Sequence, residues 1–296
     1  MIMIFDVIII GKGPAGLSAS LYTTRGNLST LIIGSDSELL KAHVIENYCF
    51  IPRATGKEMI EKGIQQARDF GAKVVEEEVI GIKQLDNTFI VSTNQNSYVA
   101  RSIILATGKS KIQVPIKNLD IFEGKGIHYC VACDGYFYNG SSVGILGYTD
   151  YAIHELKEFE GITTNITLYT NGNELVVNEE SKKYLSDNKI KINTSPILSV
   201  DGGDFLEFVE FKSGEQEKIE GLFVAYGTAS STDFARNLGV LVESNNIIVN
   251  KEQETDISGV FAAGNCTGGF AQVSTAVGEG ANAGQSIKKY LRTIKQ

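Results

Sequence analysis

Basic residues are scarce in this chain. It carries 27 Lys and Arg against 35 Asp and Glu, for a formal net charge of −8. That balance argues against nucleic acid as a default partner. Cysteine is also sparse, with four in 296 residues, too few for the disulfide framework of a small secreted protein. Only Cys130 and Cys133 lie close together; Cys49 and Cys266 do not supply the second Cys/His pair that a zinc site would want. No apolar run approaches the ~20 residues needed to span a bilayer. The apolar start, Met1 to Ile10, has no basic residues ahead of it, so it is read as a buried strand and not a signal peptide. A soluble, cytoplasmic protein without membrane or nucleic-acid contacts is expected.

Hydrophobic residues make up 43% of the chain, enough for a full core, and glycines (31) far outnumber prolines (4). The length suits two domains at about 100–200 residues each. Many glycines among β-branched runs point to an α/β chain in which backbone approaches a ligand closely.

Phe5 to Ile10 is a continuous apolar run of the kind found in a central parallel strand. Gly11-Lys12-Gly13-Pro14-Ala15-Gly16 follows, and Leu17 to Arg25 has helical character with Pro14 suited to the first turn. In a strand, G-x-G-x-x-G, helix unit the first glycine turns the chain, the second admits a pyrophosphate, and the third lets helix pack on strand. Further strands are predicted at Thr30–Ile33, Lys73–Ile82, Thr88–Thr93 and Ser97–Leu105, with a helix over Met59–Phe70. The pattern recurs later. Ser142–Leu146 runs into Gly147-Tyr148-Thr149-Asp150-Tyr151-Ala152, followed by a helix to Phe159, a strand at Ile166–Thr170, a helix at Val176–Asn188 and a strand at Gly221–Ala225. This is an internal repeat of architecture, with the second copy inserted in the first. Gly259–Ala263 and the helix Ser274–Leu291, rich in small residues, return to the first copy. The fold class expected is α/β: two Rossmann-like three-layer domains, one over 1–112 and 242–296, the other over 113–241.

Between the copies stands Cys130-Val131-Ala132-Cys133-Asp134-Gly135. Two thiols at this spacing can close into a disulfide and reopen, and an adjacent acid can manage the proton.

Together these motifs resemble the low-molecular-weight flavin thioredoxin reductases over nearly the whole chain. The resemblance implies a tightly bound FAD, a homodimer and thioredoxin as acceptor. It implies FAD contacts at Gly11, Gly13, Pro14, Ala15 and Gly16, at Ala106-Thr107-Gly108, at Gly264-Asn265, and at Asn47, Gln272 and Val273. It makes Cys133 the flavin-side cysteine, Cys130 the one that attacks thioredoxin, and Asp134 the acid/base. The first copy departs from the family in three places: a short loop between Gly34 and Asn47 without the usual G-G-Q, Asn265 for the usual Asp, and Ala271 where an Arg is common.

The second copy departs further. NADPH-using relatives carry a G-G-G-D-S-A-like turn and, after the next strand, a basic H-R-R cluster. Here Tyr148 and Thr149 occupy the turn, and no Lys or Arg occurs between Lys157 and Lys182. A 2′-phosphate needs cationic partners. This pattern resembles the ferredoxin-dependent flavin thioredoxin reductases, so reduced ferredoxin is the expected donor. The alternatives are an NADPH-dependent reductase with a divergent site and an FAD-dependent dithiol oxidase using oxygen. His128 is read as a hydrogen-bonding or surface histidine, Cys266 and Cys49 as plain buried thiols, and Lys109, Lys111, Lys117 and Lys125 as a solvated lysine face.

Overall fold

The computed structural model describes residues 3–35, 37–108 and 114–294. The chain divides into two compact units, Met1–Lys109 with Ser230–Gln296, and Ser110–Ala229. The second is therefore an insertion in the first. Its end lies ahead of the expected 241/242 boundary because a short helix, α6 (Ser231–Asn237), belongs to the first unit. Ser230 and Asp233 close a reciprocal capping box at its start, and it packs on strands of that unit.

In the first unit the strands are β1 (Ile4–Phe5), β2 (Val7–Ile10), β3 (Thr30–Ile33), β4 (Lys73–Val75), β5 (Val79–Leu85), β6 (Thr88–Thr93), β7 (Ser97–Ala100) and β8 (Ile103–Leu105). Helix α1 covers Pro14–Arg25 and α2 covers Gly56–Asp69. Three expected continuous strands are each split between two sheets. At Asp6 the chain leaves a small sheet and enters the main one. The Asp6 carboxylate accepts from Ser29 N and Oγ (both 3.0 Å) and from Arg101 (3.1 Å), which anchors the crossing. The stretches 73–82 and 97–105 divide in the same way, because a three-residue strand in the main sheet adjoins a longer strand in the antiparallel one.

The inserted unit contributes β9 (Ile127–His128), β10 (Val143–Leu146), β11 (Ile166–Tyr169), β12 (Lys191–Asn193), β13 (Ile197–Gly202), β14 (Leu206–Phe211), β15 (Gln216–Lys218) and β16 (Gly221–Val224). Its helices are α3 (Val131–Asp134), α4 (Asp150–Lys157) and α5 (Glu179–Asp187). The helix expected over 176–188 starts late: Asn178 caps it through Ser181 N, and Val176 pairs with the backbone of Tyr148 instead. The chain then returns to the first unit with β17 (Val242–Glu243), β18 (Asn246–Ile247), β19 (Val260–Ala262) and α7 (Val273–Thr293).

Each unit is built on a five-stranded parallel sheet, ordered β4-β3-β2-β8-β19 in one and β12-β11-β10-β16-β9 in the other. Each also carries a small antiparallel sheet, β5-β6-β7 with β1 added in the first and β13-β14-β15 in the second. The central strands are fully buried, as their continuous Val, Ile and Leu runs require. None of the described helices is long and apolar enough to cross a membrane.

Helix α7 packs along α1 through its small residues. A Cβ on Gly280 would lie 2.1 Å from the Ala15 carbonyl oxygen, and one on Gly284 would lie 2.6 Å from that of Ala19. Backbone cannot yield as a side chain can. Gly278, one turn face away, has nothing within 4 Å. Gly280→Ala should therefore destabilise the fold by about 3 kcal/mol through overpacking. Gly278→Ala should be neutral or stabilise by up to about 1 kcal/mol, as Ala outranks Gly in a helix. Urea unfolding midpoints of the two variants check the contrast.

Candidate functional site

Two glycine turns and a disulfide define the chemistry. In the first unit β2 ends at Ile10, and Gly11 turns the chain with φ +115°. A Cβ there would stand 2.3 Å from Ala106 O, so only glycine lets this loop lie against the turn at Ala106-Thr107-Gly108. A Cβ on Gly16 would be 2.0 Å from Gly11 O, which closes the loop onto the helix. Gly13 is the N-cap of α1 and Pro14 its first residue; no side chain caps this end and no acid lies in its first turn. The first-turn amides of α1 are therefore unpaired donors at the positive end of a helix dipole. This is a cradle for a pyrophosphate.

The other expected cofactor residues gather at the same end of the sheet. Gly264, with φ +89°, brings the end of β19 against Ala15, and Asn265 opens a single helical turn to Thr267. The Gly264 amide donates to Glu279 at 2.7 Å. Thr107 and Ser231 exchange two hydrogen bonds, Thr107 N to Ser231 Oγ (3.0 Å) and Ser231 N to Thr107 Oγ1 (2.7 Å). Asn47 Nδ2 donates to Gln272 Oε1 at 2.8 Å, joining residues 225 positions apart at the start of α7, where Val273 is the first helical residue. That helix start also has neither a side-chain cap nor an acid in its first turn. Close-approach glycines and two helix starts with neither a side-chain cap nor an acid in the first turn fit a dinucleotide such as FAD.

One neighbour was not apparent from the sequence pattern. Lys12 is buried within the glycine loop and its Nζ pairs with Glu76 at 2.8 Å; the ammonium holds the Glu76 carboxyl below its usual range. Cys266 is fully buried, as expected, and burial pushes its thiol up to about 12, so it stays protonated and inert. Cys49, expected to be buried like it, is instead exposed.

In the inserted unit Cys130 and Cys133 form a disulfide. Cys130 is the N-cap of α3, and its Sγ accepts from Cys133 N at 3.1 Å. Cys130 is 3% exposed, whereas Cys133 is exposed. The Val131 amide donates to Glu155 Oε2 at 3.0 Å. Glu155 lies on α4 and is 2% exposed, so a buried carboxylate ties the disulfide segment to the neighbouring helix. Asp134, adjoining Cys133, has its carboxylate 3.0 Å from His128 Nδ1, and His128 Nε2 is 2.7 Å from the Tyr138 hydroxyl. His128 is thus a buried hydrogen-bonding residue joined to the candidate acid/base. Its spacing from Asp134 and Tyr138 gives no helical or strand signal that would have paired them.

The second glycine turn keeps its backbone and loses its opening. A Cβ on Gly147 would lie 2.1 Å from Ala225 O, the counterpart of the Gly11 and Ala106 contact. Beyond it, side chains fill the turn. The Tyr148 ring meets Tyr226 edge-on at 5.2 Å, and Thr149 Oγ1 donates to Gly227 O at 2.6 Å. Asn173 Nδ2 donates to the Tyr226 hydroxyl at 2.7 Å, and Val176 N donates to Tyr148 O at 2.8 Å. The segment after β11 is thereby strapped onto the turn. Asp150 stands in the first turn of α4, where its carboxylate accepts from Asn178 N (3.1 Å) and Ser181 Oγ (2.6 Å). Asp150 stands at the position of the Asp in the G-G-G-D-S-A-like turn, so the departures of this turn are Tyr148 and Thr149. The nearest cation along this stretch, Lys157, pairs with Glu180 at 3.1 Å.

Of the four lysines of the connecting stretch, Lys109 and Lys111 lie outside the described residues. Lys117 and Lys125 are exposed, with the exposed acids Asp120 and Glu123 between them.

Comparison with known proteins agrees with this architecture. Residues 5–280 match the pyridine nucleotide-disulphide oxidoreductase family. The thioredoxin reductase of Treponema pallidum is 31% identical, covering 98% of this chain and 98% of its own. Among solved structures, the atypical thioredoxin reductase of Desulfovibrio vulgaris Hildenborough is 39% identical with a TM-score of 0.93, covering 97% of this chain and 98% of that one. A ferredoxin-flavin thioredoxin reductase from Clostridium acetobutylicum is 29% identical with a TM-score of 0.68, covering 98% of each chain. With a full-length family match, a glycine cradle fitted to FAD and a redox disulfide, the chain belongs to the pyridine nucleotide-disulphide oxidoreductases, among the low-molecular-weight thioredoxin reductases that bind FAD.

Proposed function

We propose that this thioredoxin reductase takes its electrons from reduced ferredoxin and not from NADPH. The observation that carries the reading is the second turn, filled by Tyr148 and Thr149 and strapped by Val176. A pyrophosphate would have to displace the packed Tyr148 and Tyr226 rings, with no Lys or Arg between Lys157 and Lys182 to repay the cost. The similarity to a protein described as a ferredoxin-flavin thioredoxin reductase supports the same reading.

Bound FAD supplies the means to collect electrons singly and pass them on as a pair. The driving force suffices: plant-type ferredoxins lie near ~−400 mV and thioredoxin dithiols near ~−270 mV, so two electrons release roughly 6 kcal/mol. Gly11, Gly13, Pro14, Ala15 and Gly16 hold the FAD pyrophosphate; Ala106-Thr107-Gly108, Gly264-Asn265, Asn47, Gln272 and Val273 line the rest of the cofactor. Cys133 Sγ accepts the electron pair, the Cys130–Cys133 bond breaks, and Cys130 leaves as a thiolate with Asp134 supplying its proton. Cys130 Sγ then attacks one sulfur of the thioredoxin disulfide and the other thioredoxin sulfur departs. Cys133 Sγ attacks Cys130 in the mixed disulfide, restoring the enzyme disulfide and releasing thioredoxin as a dithiol. Because Cys130 is 3% exposed when oxidised, exchange requires a displacement that uncovers it.

Anaerobic titration of the holoenzyme followed by flavin absorbance tests the donor. Reduced ferredoxin should bleach the flavin, and NADPH or NADH in excess should leave it oxidised. Rapid bleaching by NADPH would assign the divergent NADPH-dependent reductase, and oxygen uptake with a small dithiol would assign a dithiol oxidase. Cys130→Ser and Cys133→Ser should each retain FAD and lose thioredoxin reduction by at least about 1000-fold, since no second nucleophile stands in place. Steady-state turnover and flavin content of the purified variants check this, and full activity in Cys130→Ser would contradict it.

A further inference from the structure

His128 ends β9, the edge strand beside β16. Its side chain is 11% exposed. The ring stacks on Phe223 at 5.1 Å and meets Tyr138 edge-on at 5.4 Å, so packing fixes its plane. Phe159 backs Phe223 at 4.9 Å. Both ring nitrogens are engaged, Nδ1 with Asp134 at 3.0 Å and Nε2 with Tyr138 at 2.7 Å. The three residues bracket the redox disulfide, two positions before Cys130, directly after Cys133, and at the end of the following helical turn.

The proton inventory of this chain of contacts is determined by its ends. Burial pushes the Tyr138 phenol up, and the nearby carboxylates of Asp134 and Glu220 push it further, so the hydroxyl keeps its proton. In the neutral state the phenol donates to Nε2, which leaves the ring proton on Nδ1, where it donates to Asp134. If the ring takes a second proton, the phenol oxygen turns to accept. The other carboxylates nearby are already committed: Glu155 accepts from Val131 N, and Glu220 accepts from Ser142 N.

We propose that His128, backed by Tyr138, is the positioning residue for Asp134, orienting its carboxylate and holding the proton that Asp134 exchanges with the Cys130 thiol. The step balances without any outside oxidant. Cys130 Sγ–H gives its proton to Asp134, a bond forms from Cys130 Sγ to one sulfur of the substrate, the substrate S–S bond breaks, and the proton passes to the departing thiolate. Attack by Cys133 repeats the transfer for the second thiolate. The enzyme dithiol becomes a disulfide and the substrate disulfide a dithiol.

The inference rests on Asp134 as the proton-handling group, and the test separates the two. The holoenzyme is reduced with stoichiometric dithionite and mixed with the disulfide form of a bacterial thioredoxin across a pH series, which leaves the natural donor out of the measurement. Asp134→Asn should slow exchange about 100-fold, in the range of general acid–base catalysis. His128→Gln should slow it about 10-fold near neutrality. Removing the Nδ1–H donor takes a hydrogen bond from the carboxylate, so the acid limb should move to higher pH. Tyr138→Phe, which keeps the ring packing, should move it the same way by less. The His128→Gln/Asp134→Asn double variant should be no slower than Asp134→Asn alone. FAD content and a closed disulfide establish that each variant is folded. An unshifted acid limb in either His128→Gln or Tyr138→Phe, or losses that multiply in the double variant, would overturn the relay and leave Asp134 in its role. Undiminished exchange in Asp134→Asn would overturn the underlying reading itself.

Discussion

Two backbone carbonyls constrain this molecule, those of Ala106 and Ala225. Each stands at the end of a parallel strand, and against each a glycine packs so closely that a Cβ would lie 2.3 Å and 2.1 Å away respectively. That contact turns the chain from the sheet's central strand into a helix and aims the helix start at the strand ends, where α/β sheets bind ligands. Both units meet the same constraint with four strands in the same order, the fifth being the last in the chain in one (β19) and the first in the other (β9). What they do with the opening it creates differs. Around Gly11 the first turn of α1 carries neither a capping side chain nor an acid. Around Gly147 the turn is filled by Tyr148 and Thr149 and crossed by Val176. The two openings differ in their side chains, though their backbones follow one plan.

The redox disulfide depends on a second kind of restraint, polar groups that are buried and paired. Cys130 caps a one-turn helix whose first amide is held by Glu155, 2% exposed on α4. A buried carboxylate is costly unless it is hydrogen-bonded. This one repays that cost by fixing where the disulfide sits. On the other side, Asp134, His128 and Tyr138 hold one another through two hydrogen bonds and one ring contact, with Phe223 stacked behind His128. The disulfide segment is therefore set between two groups of paired polar side chains.

The fold class and the redox motif were legible because they are written in contiguous residues. A buried strand, a glycine loop and a helix follow one another at Phe5–Arg25, and Cys130, Cys133 and Asp134 span five positions. The departure of the second turn from the first was legible for the same reason, since Tyr148 and Thr149 stand where glycine belongs. What closes that cradle was not. Val176 lies in a segment with helical periodicity, and only the backbone bond to Tyr148 shows that the helix starts later. Asp6 interrupts an apolar run, yet its role in splitting that run depends on Ser29 and Arg101 far along the chain. Glu155 and Val131 meet across 24 positions, and the Asn47–Gln272 bond spans 225. Helix α6 did carry a local sign, the Ser230–Asp233 capping box, in a stretch too short to show periodicity.

With its turn filled by Tyr148 and Thr149, the second cradle is proposed not to serve a nicotinamide nucleotide. Calorimetric titration of the oxidised holoenzyme with NADP⁺ addresses it without turnover or any electron donor. The packing of Tyr148 and Thr149 predicts no saturable binding below about 1 mM, the weakest end of specific recognition. Saturable binding with a Kd in the micromolar range would contradict the account.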